Sequence, residues 1–134
     1  MTHEKEIEIR WRDLDAFGHV NHIVFLTYLE EVRDEWLGRV LGDPGLVWGY
    51  VIARVEIDYR RELTLEDDVI VARCSLERLG TRSVTTNESV ATRDGETAAA
   101  AKAVLVARDT ENGGSRVISD EERAAFERAA VTTT

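Results

Sequence analysis

The chain has 134 residues, the usual size of one domain, and its 43% hydrophobic and 32% charged residues are typical of a soluble globular protein. Seventeen basic and 26 acidic side chains give a net charge of −9, which argues against nucleic acid as the main partner, and no segment approaches the roughly 20 apolar residues of a membrane span. The single cysteine permits no internal disulfide and excludes a cysteine-based zinc module, so we expect a reducing, cytoplasmic location.

The first predicted element is a strand over residues 5–12, where apolar residues alternate with charged ones as in a half-buried strand. The turn that follows, residues 13–22, contains two aspartates, two histidines, an asparagine and a glycine. A turn that leads into a helix presents unpaired backbone N–H groups and the positive end of the helix dipole. An acid or base beside such donors is suited to acyl-transfer chemistry.

A long helix is predicted over residues 23–41, because apolar residues recur there at steps of three and four and form one broad stripe. Asn21 is a candidate N-cap and Gly42 a candidate C-cap, and Pro44 prevents any continuation. A stripe of this breadth is typical of a central helix that is covered over a wide face.

Four further strands are predicted, over residues 51–60, 69–79, 82–92 and 97–108. In the first of them, one face is expected to carry every second residue from Val51 to Tyr59. The alanine-rich start of the last strand favours a helix on propensity alone. We predict a strand, because an Asp-Gly hairpin turn precedes it and Val104 to Val106 follow. A short helix starts at a capping box over residues 119–122 and reaches about residue 130.

This order of elements predicts an α+β fold: one long helix wrapped by a curved, antiparallel, five-stranded sheet. The chain contains no linker, internal repeat or low-complexity segment. We therefore expect a single domain over residues 1–134.

Three segments carry a resemblance to a known family. They are Asp13-Leu-Asp-Ala-Phe-Gly-His-Val-Asn-His22, then Leu26-x-Tyr-x-Glu-Glu31, and the strand-like segment 55–63. In order and spacing the chain resembles the hotdog-fold acyl-CoA thioesterases, in particular the 4-hydroxybenzoyl-CoA thioesterase type and its acyl-carrier-protein relatives. The resemblance implies subunits that join edge strands into dimers, with homotetramers common, and an active site at the subunit interface.

By this resemblance Asp15 is the catalytic aspartate, either as general base on water or as nucleophile. His19 would orient Asp15 or the water, or act as an acid. We expect backbone N–H groups around His22 and Ile23 to polarise the thioester carbonyl, and Gly18 to let the backbone approach closely. The structural alternative for Asp15 is that it caps the turn.

The neighbouring aspartate, Asp13, is expected to hold the loop backbone or to pair with Arg10 or Arg12. Asn21 either caps the helix or holds Asp15.

Coenzyme A is polyanionic, and arginines at predicted strand ends are suited to bind its phosphates. The predicted substrate-binding residues are Asn21, Tyr28, Arg60, Arg61, Arg82 and Ser83. Tyr28 would line an apolar groove for the acyl chain, and Ser83 would reach the thioester from a partner subunit. No cofactor is expected, because coenzyme A is part of the substrate. No metal is expected either, because the spacing of Asp15, His19 and His22 matches no known zinc motif.

The predicted function is hydrolysis of an acyl thioester, carried by coenzyme A or acyl carrier protein, to the free acid and thiol. One alternative is a hotdog enoyl-CoA hydratase or dehydratase, which we rank lower because the acid precedes the helix. The other is a non-catalytic module that binds acyl-CoA, and the carboxylate of Asp15 counts against it. The sequence leaves open the acyl group, the thiol carrier and the choice between dimer and tetramer.

Overall fold

The computed structural model describes residues 1–131, so the last three residues of the predicted domain lie outside the described part of the chain. The elements are β1 (His3–Glu8), α1 (His22–Leu41), β2 (Tyr50–Tyr59), β3 (Val69–Leu79), β4 (Ser83–Thr92), β5 (Thr97–Ala107) and α2 (Asp120–Val131). The five strands form one antiparallel sheet in the order β1-β3-β4-β5-β2. The predicted α+β hotdog fold, with a curved sheet around a long helix, is confirmed.

Helix α1 packs its apolar stripe on one face of this sheet. Leu29, Val32 and Trp36 are fully buried, and burial of each such side chain stabilises the fold by about 1.5–3 kcal/mol. Both predicted caps are confirmed: the side chain of Asn21 accepts a hydrogen bond from the N–H of Ile23, and Gly42 ends the helix in the left-handed conformation. No helix among residues 1–131 has both the length and the apolar composition needed to cross a membrane.

The alanine-rich segment is a strand, as predicted, because it lies in β5 between β4 and β2. Its backbone groups are paired on both sides. Ala99 and Ala103 are fully buried, so side-chain packing within a central strand overrides the intrinsic helix propensity of alanine.

The predicted strand over residues 5–12 is partly wrong, because β1 ends at Glu8. Ile7 and Ile9 are buried as the alternation predicts, but Trp11 is 80% exposed. The side chain of Asp13 accepts a hydrogen bond from the N–H of Arg10 at 2.9 Å, and a short 3-10 helix begins there instead. A local side-chain hydrogen bond thus ends the strand.

Strand β2 lies at the sheet edge and contains a β-bulge at Ala53, since Ile52 and Arg54 pair with successive residues of β5. One extra residue reverses the alternation of side chains. Tyr59 pairs with a buried alanine of β5, whereas Val51 pairs with a residue on the other face. The single alternation predicted from Val51 to Tyr59 is therefore correct after the bulge and wrong before it.

Among the described residues, one ion pair lies inside the core. Arg33 of α1 donates two hydrogen bonds of 2.8 Å to the two carboxylate oxygens of Glu88 on β4, and the two residues are 5% and 2% exposed. Thr86 also donates to Glu88, and burial raises the pKa of the neighbouring Cys74 thiol. This bidentate pair ties the central helix to the middle of the sheet.

Candidate active site

The turn between β1 and α1 is closed by its own backbone. The N–H of Asp15 donates to the carbonyl oxygen of His19 at 2.8 Å, and the N–H of Gly18 donates to the carbonyl oxygen of Asp15 at 3.1 Å. Gly18 has a φ of +81°, and nothing lies within 4 Å of the position that a Cβ would take. Glycine is required here for the left-handed backbone. The close backbone approach expected at Gly18 stays a prediction.

The half-buried carboxylate of Asp15 uses only one of its oxygens in the turn. Its Oδ1 accepts hydrogen bonds from the N–H groups of Phe17, at 2.9 Å, and His19, at 3.3 Å. Among the described residues, Oδ2 of Asp15 has no hydrogen-bond donor. The carboxylate therefore caps the turn and still presents a free oxygen.

Asp13 supports this turn from inside the protein. Its Oδ2 accepts hydrogen bonds from the N–H of Arg10, at 2.9 Å, and from the hydroxyl of Tyr28, at 2.7 Å. Its carbonyl oxygen accepts from the N–H of Asn21 at 2.9 Å. Asp13 thus holds the loop backbone, as predicted. Its partner Tyr28 is only 1% exposed, and burial followed by the hydrogen bond to Asp13 raises the pKa of Tyr28.

The first turn of α1 leaves one backbone donor open. The side chain and the carbonyl oxygen of Asn21 accept hydrogen bonds from the N–H groups of Ile23, at 3.1 Å, and Val24, at 2.8 Å. The N–H of His22, at the first helical position, has no acceptor in the helix, and it makes no hydrogen bond to another described residue. Of the two donors predicted, that of Ile23 is occupied by the cap and that of His22 is open.

A pocket of about 370 Å³ lies where the turn and the start of α1 meet the end of β2. It is lined by Asp15, His19, Val20, His22, Phe25, Tyr59, Arg60, Arg61 and Glu62. The turn is joined to the segment after β2 by a 2.7 Å hydrogen bond from the N–H of Val20 to the carbonyl oxygen of Leu63. The predicted catalytic side chains thus share one pocket with two of the predicted arginines.

Two polar residues of this pocket, Tyr59 and Glu62, were not predicted from the sequence. Nε2 of His19 lies 3.1 Å from a carboxylate oxygen of Glu62, in a pair whose side chains are 34% and 73% exposed. The hydroxyl of Tyr59 donates to the carbonyl oxygen of His22 at 2.8 Å, and burial raises the pKa of Tyr59. The one available signal was their position in the segment 55–63 that carries the family resemblance.

The predicted arginines differ in their partners. Arg61 lies 3.1 Å from the carboxylates of both Asp67 and Glu96, so its charge is already compensated within the chain. Arg60 is exposed and has no ion-pair partner among the described residues. It is therefore the cation of the pocket that is available to an anionic ligand.

Arg82 and Ser83 lie at the opposite end of the sheet from this pocket in the same chain. Ser83 pairs with Val106 of β5, whereas Tyr59 pairs with Ala99. These positions are seven residues apart, or about 23 Å at the rise of a strand. Arg82 itself donates to the hydroxyl of Ser115 at 3.2 Å.

A larger open groove of about 910 Å³ runs between the second half of α1 and the start of β2, and none of the predicted site residues lines it. Trp48, Val51 and Ile52 form its apolar side and are 81%, 41% and 43% exposed. Its helical side carries Asp34, whose pKa is raised by burial and by the nearby Glu30. Within residues 1–131, no three His, Cys, Asp or Glu side chains are grouped to hold a metal ion.

Comparison with known proteins gives a consistent result. The model of a family described as the thioesterase-like superfamily matches residues 9–130. A curated relative, the long-chain acyl-CoA thioesterase FadM of Escherichia coli, is 30% identical over 86 aligned positions, and the match covers 60% of this chain and 62% of the relative. The match thus spans less than two thirds of that relative's length.

Two solved structures are similar over nearly their whole length. A thioesterase of Thermus thermophilus, in complex with coenzyme A and Zn, has a TM-score of 0.87 and 30% identity, covering 98% of this chain and 96% of the other. A predicted thioesterase of Bacillus stearothermophilus has a TM-score of 0.87 and 25% identity, covering 96% of each chain.

Proposed function

The chain belongs to the thioesterase-like superfamily, and on that basis we propose that it hydrolyses acyl-CoA thioesters to the free acid and coenzyme A. One observation carries the proposal: the pocket at the start of α1 contains both the carboxylate of Asp15 and the open N–H of His22. A base or nucleophile and a donor for the developing oxyanion are the two groups that thioester hydrolysis needs. The activity named for the FadM relative and the coenzyme A bound to the Thermus structure support the same reaction.

In this proposal the thioester carbonyl oxygen accepts a hydrogen bond from the N–H of His22. As general base, Asp15 takes a proton from water through its free Oδ2 while the water oxygen bonds to the carbonyl carbon. The tetrahedral intermediate then collapses, the carbon–sulfur bond breaks, and the thiolate takes up the proton. As nucleophile, Oδ2 would instead bond to the carbonyl carbon and expel the thiolate, and water would then hydrolyse the mixed anhydride.

His19 is proposed to assist Asp15 rather than to act alone. Its backbone N–H donates to Oδ1 of Asp15, and its ring is held by Glu62. Arg60 is proposed to bind a phosphate of coenzyme A, because it is the pocket arginine without an ion-pair partner in the described chain. Whether the thiol carrier is coenzyme A alone or also acyl carrier protein is tested by offering both.

We also propose that the chain forms a homodimer through β2. This strand of ten residues is an edge of the sheet and is exposed over most of its length, a template for pairing with another strand. Antiparallel pairing of two copies with Val55 on the two-fold axis places Arg54 of each copy opposite Glu56 of the other. A molecular mass of one chain in light scattering would contradict the dimer, and twice the dimer mass would indicate the tetramer.

The same pairing explains how residues from the far end of the sheet reach the site. It places the start of β2 in one copy beside the end of β2 in the other, so the end of β4 that carries Arg82 and Ser83 comes to the same side as the pocket. Three strand spacings, about 14 Å, then separate Tyr59 from that end of β4 in the second copy. Arg82 and Ser83 are therefore proposed to serve the site of the other subunit.

The test is release of thiol from a panel of acyl-CoA and acyl-carrier-protein substrates with short, long, branched and aromatic acyl groups. Asp15→Asn keeps the shape of the side chain and is expected to lower kcat by about 10²–10⁴-fold, because the amide is neither base nor nucleophile. Asp109→Asn is the matched control: Asp109 also caps a turn through two backbone N–H groups, those of Glu111 and Asn112. It is expected to retain the wild-type rate.

Absence of thiol release across the whole panel, or an Asp15→Asn variant with the wild-type rate, would contradict the proposal. Tight acyl-CoA binding without turnover would indicate the non-catalytic module instead. Hydration of an enoyl-CoA, seen by product analysis, would indicate the hydratase. The cytoplasmic location stays a prediction from the single cysteine.

A further inference from the structure

Tyr59, the last residue of β2, contacts the first turn of α1 in two ways. Its hydroxyl donates a 2.8 Å hydrogen bond to the carbonyl oxygen of His22. Its ring lies edge-on against the His22 imidazole and the Phe25 ring, with centroid distances of 6.1 and 5.2 Å. The other two tyrosines of the chain donate to carboxylates, Tyr28 to Asp13 and Tyr50 to Glu122. Tyr59 is therefore the tyrosine whose hydroxyl acts on the backbone of the pocket.

The carbonyl that Tyr59 contacts belongs to the peptide group that joins His22 and Ile23. The N–H of the same peptide group donates to the side chain of Asn21 at 3.1 Å. Because a peptide group is planar, hydrogen bonds at both of its ends restrict its rotation about the chain axis. The first turn of α1 is thus held on one side by its own cap and on the other by the edge strand.

This restriction acts next to the open N–H of His22, which belongs to the preceding peptide group. A first helical turn frays easily when nothing holds it. A donor stabilises a developing oxyanion only when its direction is set before the reaction. A side chain from β2 that holds this turn therefore bears on the rate of the chemical step.

We infer that Tyr59 is a positioning residue that holds the N–H of His22 in the direction needed to polarise the thioester carbonyl. The inference rests on the proposed function, because it needs a carbonyl oxygen at this N–H. Tyr59 itself does not touch the reacting atoms. The hydroxyl of Tyr59 affects kcat through its hydrogen bond to His22, whereas the ring lines the pocket.

The test is Tyr59→Phe, which keeps the ring contacts and removes the hydroxyl. A lost hydrogen bond of ordinary strength corresponds to a fall in kcat of about three- to ten-fold. The KM for the same acyl-CoA is expected to change by less than about two-fold, since the ring of Tyr59 and the groups proposed to bind coenzyme A are kept. Tyr50→Phe is the matched control, because the hydroxyl of Tyr50 donates to Glu122 of α2 and to no backbone group of the pocket. Its kcat is expected to equal that of the wild type.

A second measurement separates positioning from a merely structural role. In an Asp15→Asn background, which slows turnover, an acyl-CoA with a ¹³C-labelled carbonyl is bound, and its carbonyl stretching band is recorded by infrared difference spectroscopy before hydrolysis. Adding Tyr59→Phe is expected to move the band to higher frequency, because the carbonyl is less polarised. A loss of stability alone would lower the melting temperature and leave the band in place.

The outcomes distinguish the inference from the function on which it rests. A wild-type chain that hydrolyses acyl-CoA, together with a Tyr59→Phe variant of unchanged kcat and band position, overturns the inference and leaves the proposed function intact. A wild-type chain that releases no thiol overturns both. A lower kcat at unchanged KM, with the band moved, supports both.

Discussion

The buried pair of Arg33 and Glu88 allows a stability prediction whose size follows from the structure. Arg33→Met fills a similar volume but leaves the carboxylate of Glu88, which is 2% exposed, without a cation. Loss of one partner of a buried, hydrogen-bonded ion pair costs about 3–5 kcal/mol. The hydroxyl of Thr86 still donates to Glu88, so we expect a value near the middle of that range.

This free energy converts into a change of melting temperature. At about 2.1 cal/mol/K per residue, a chain of 134 residues has an unfolding entropy of about 0.28 kcal/mol/K, so a loss of about 4 kcal/mol lowers the melting temperature by about 14 °C. The measurement is differential scanning calorimetry at one protein concentration. Arg39→Met is the control: Arg39 is an exposed residue on the same helix, and its replacement is expected to change the free energy of unfolding by at most about 0.5 kcal/mol.

The double variant Arg33→Met with Glu88→Leu tests the reasoning more sharply. Replacement of both charges by apolar side chains removes the uncompensated carboxylate, so the melting temperature is expected to recover most of the loss. A single variant Arg33→Met that melts within about 3 °C of the wild type would refute the claim that Glu88 depends on this cation. A double variant as unstable as the single one would show that packing, not charge, dominates at this position.

Two further predictions concern the turn before α1. Gly18→Ala and Gly113→Ala place a side chain at φ values of +81° and +80° with open space around the Cβ, so each is expected to cost about 1–2 kcal/mol in thermal unfolding. Only Gly18→Ala is expected to lower kcat. Equal kcat values for the two variants would show that the geometry of the turn before α1 does not affect turnover. For Tyr28, whose pKa is raised in the folded protein, the unfolded chain releases the phenol proton above pH of about 10 while the folded chain keeps it. The contribution of Tyr28 to the free energy of unfolding is therefore complete below that pH and falls as the pH rises above it. In urea unfolding, the free energy of unfolding of Tyr28→Phe is expected to fall by about 1.4 kcal/mol less per pH unit than that of the wild type. Parallel curves of unfolding free energy against pH would contradict this.

The elements of this fold could be predicted where their signal is local. Helix α1 is predicted within one residue of both ends, because its caps at Asn21 and Gly42 and its apolar stripe all lie within one continuous segment of the sequence. The bulge at Ala53 could not be predicted, because an extra residue in a strand is defined only by the strand that it pairs with. The early end of β1 could not be predicted from periodicity, because it accompanies local hydrogen bonds between Arg10 and Asp13.

The sequence by itself determined the backbone conformation around Asp15, because the hydrogen bonds that its carboxylate and its own backbone make join residues at most four positions apart, such as Asp15 and His19. Only the tertiary structure decided which groups surround that carboxylate. Tyr59 meets His22 across 37 positions of the chain, and sheet register alone separates Ser83 from the pocket by most of the length of a strand. Local hydrogen bonds form wherever their few residues are present, whereas contacts between distant residues exist only after the helix and sheet have packed around one core.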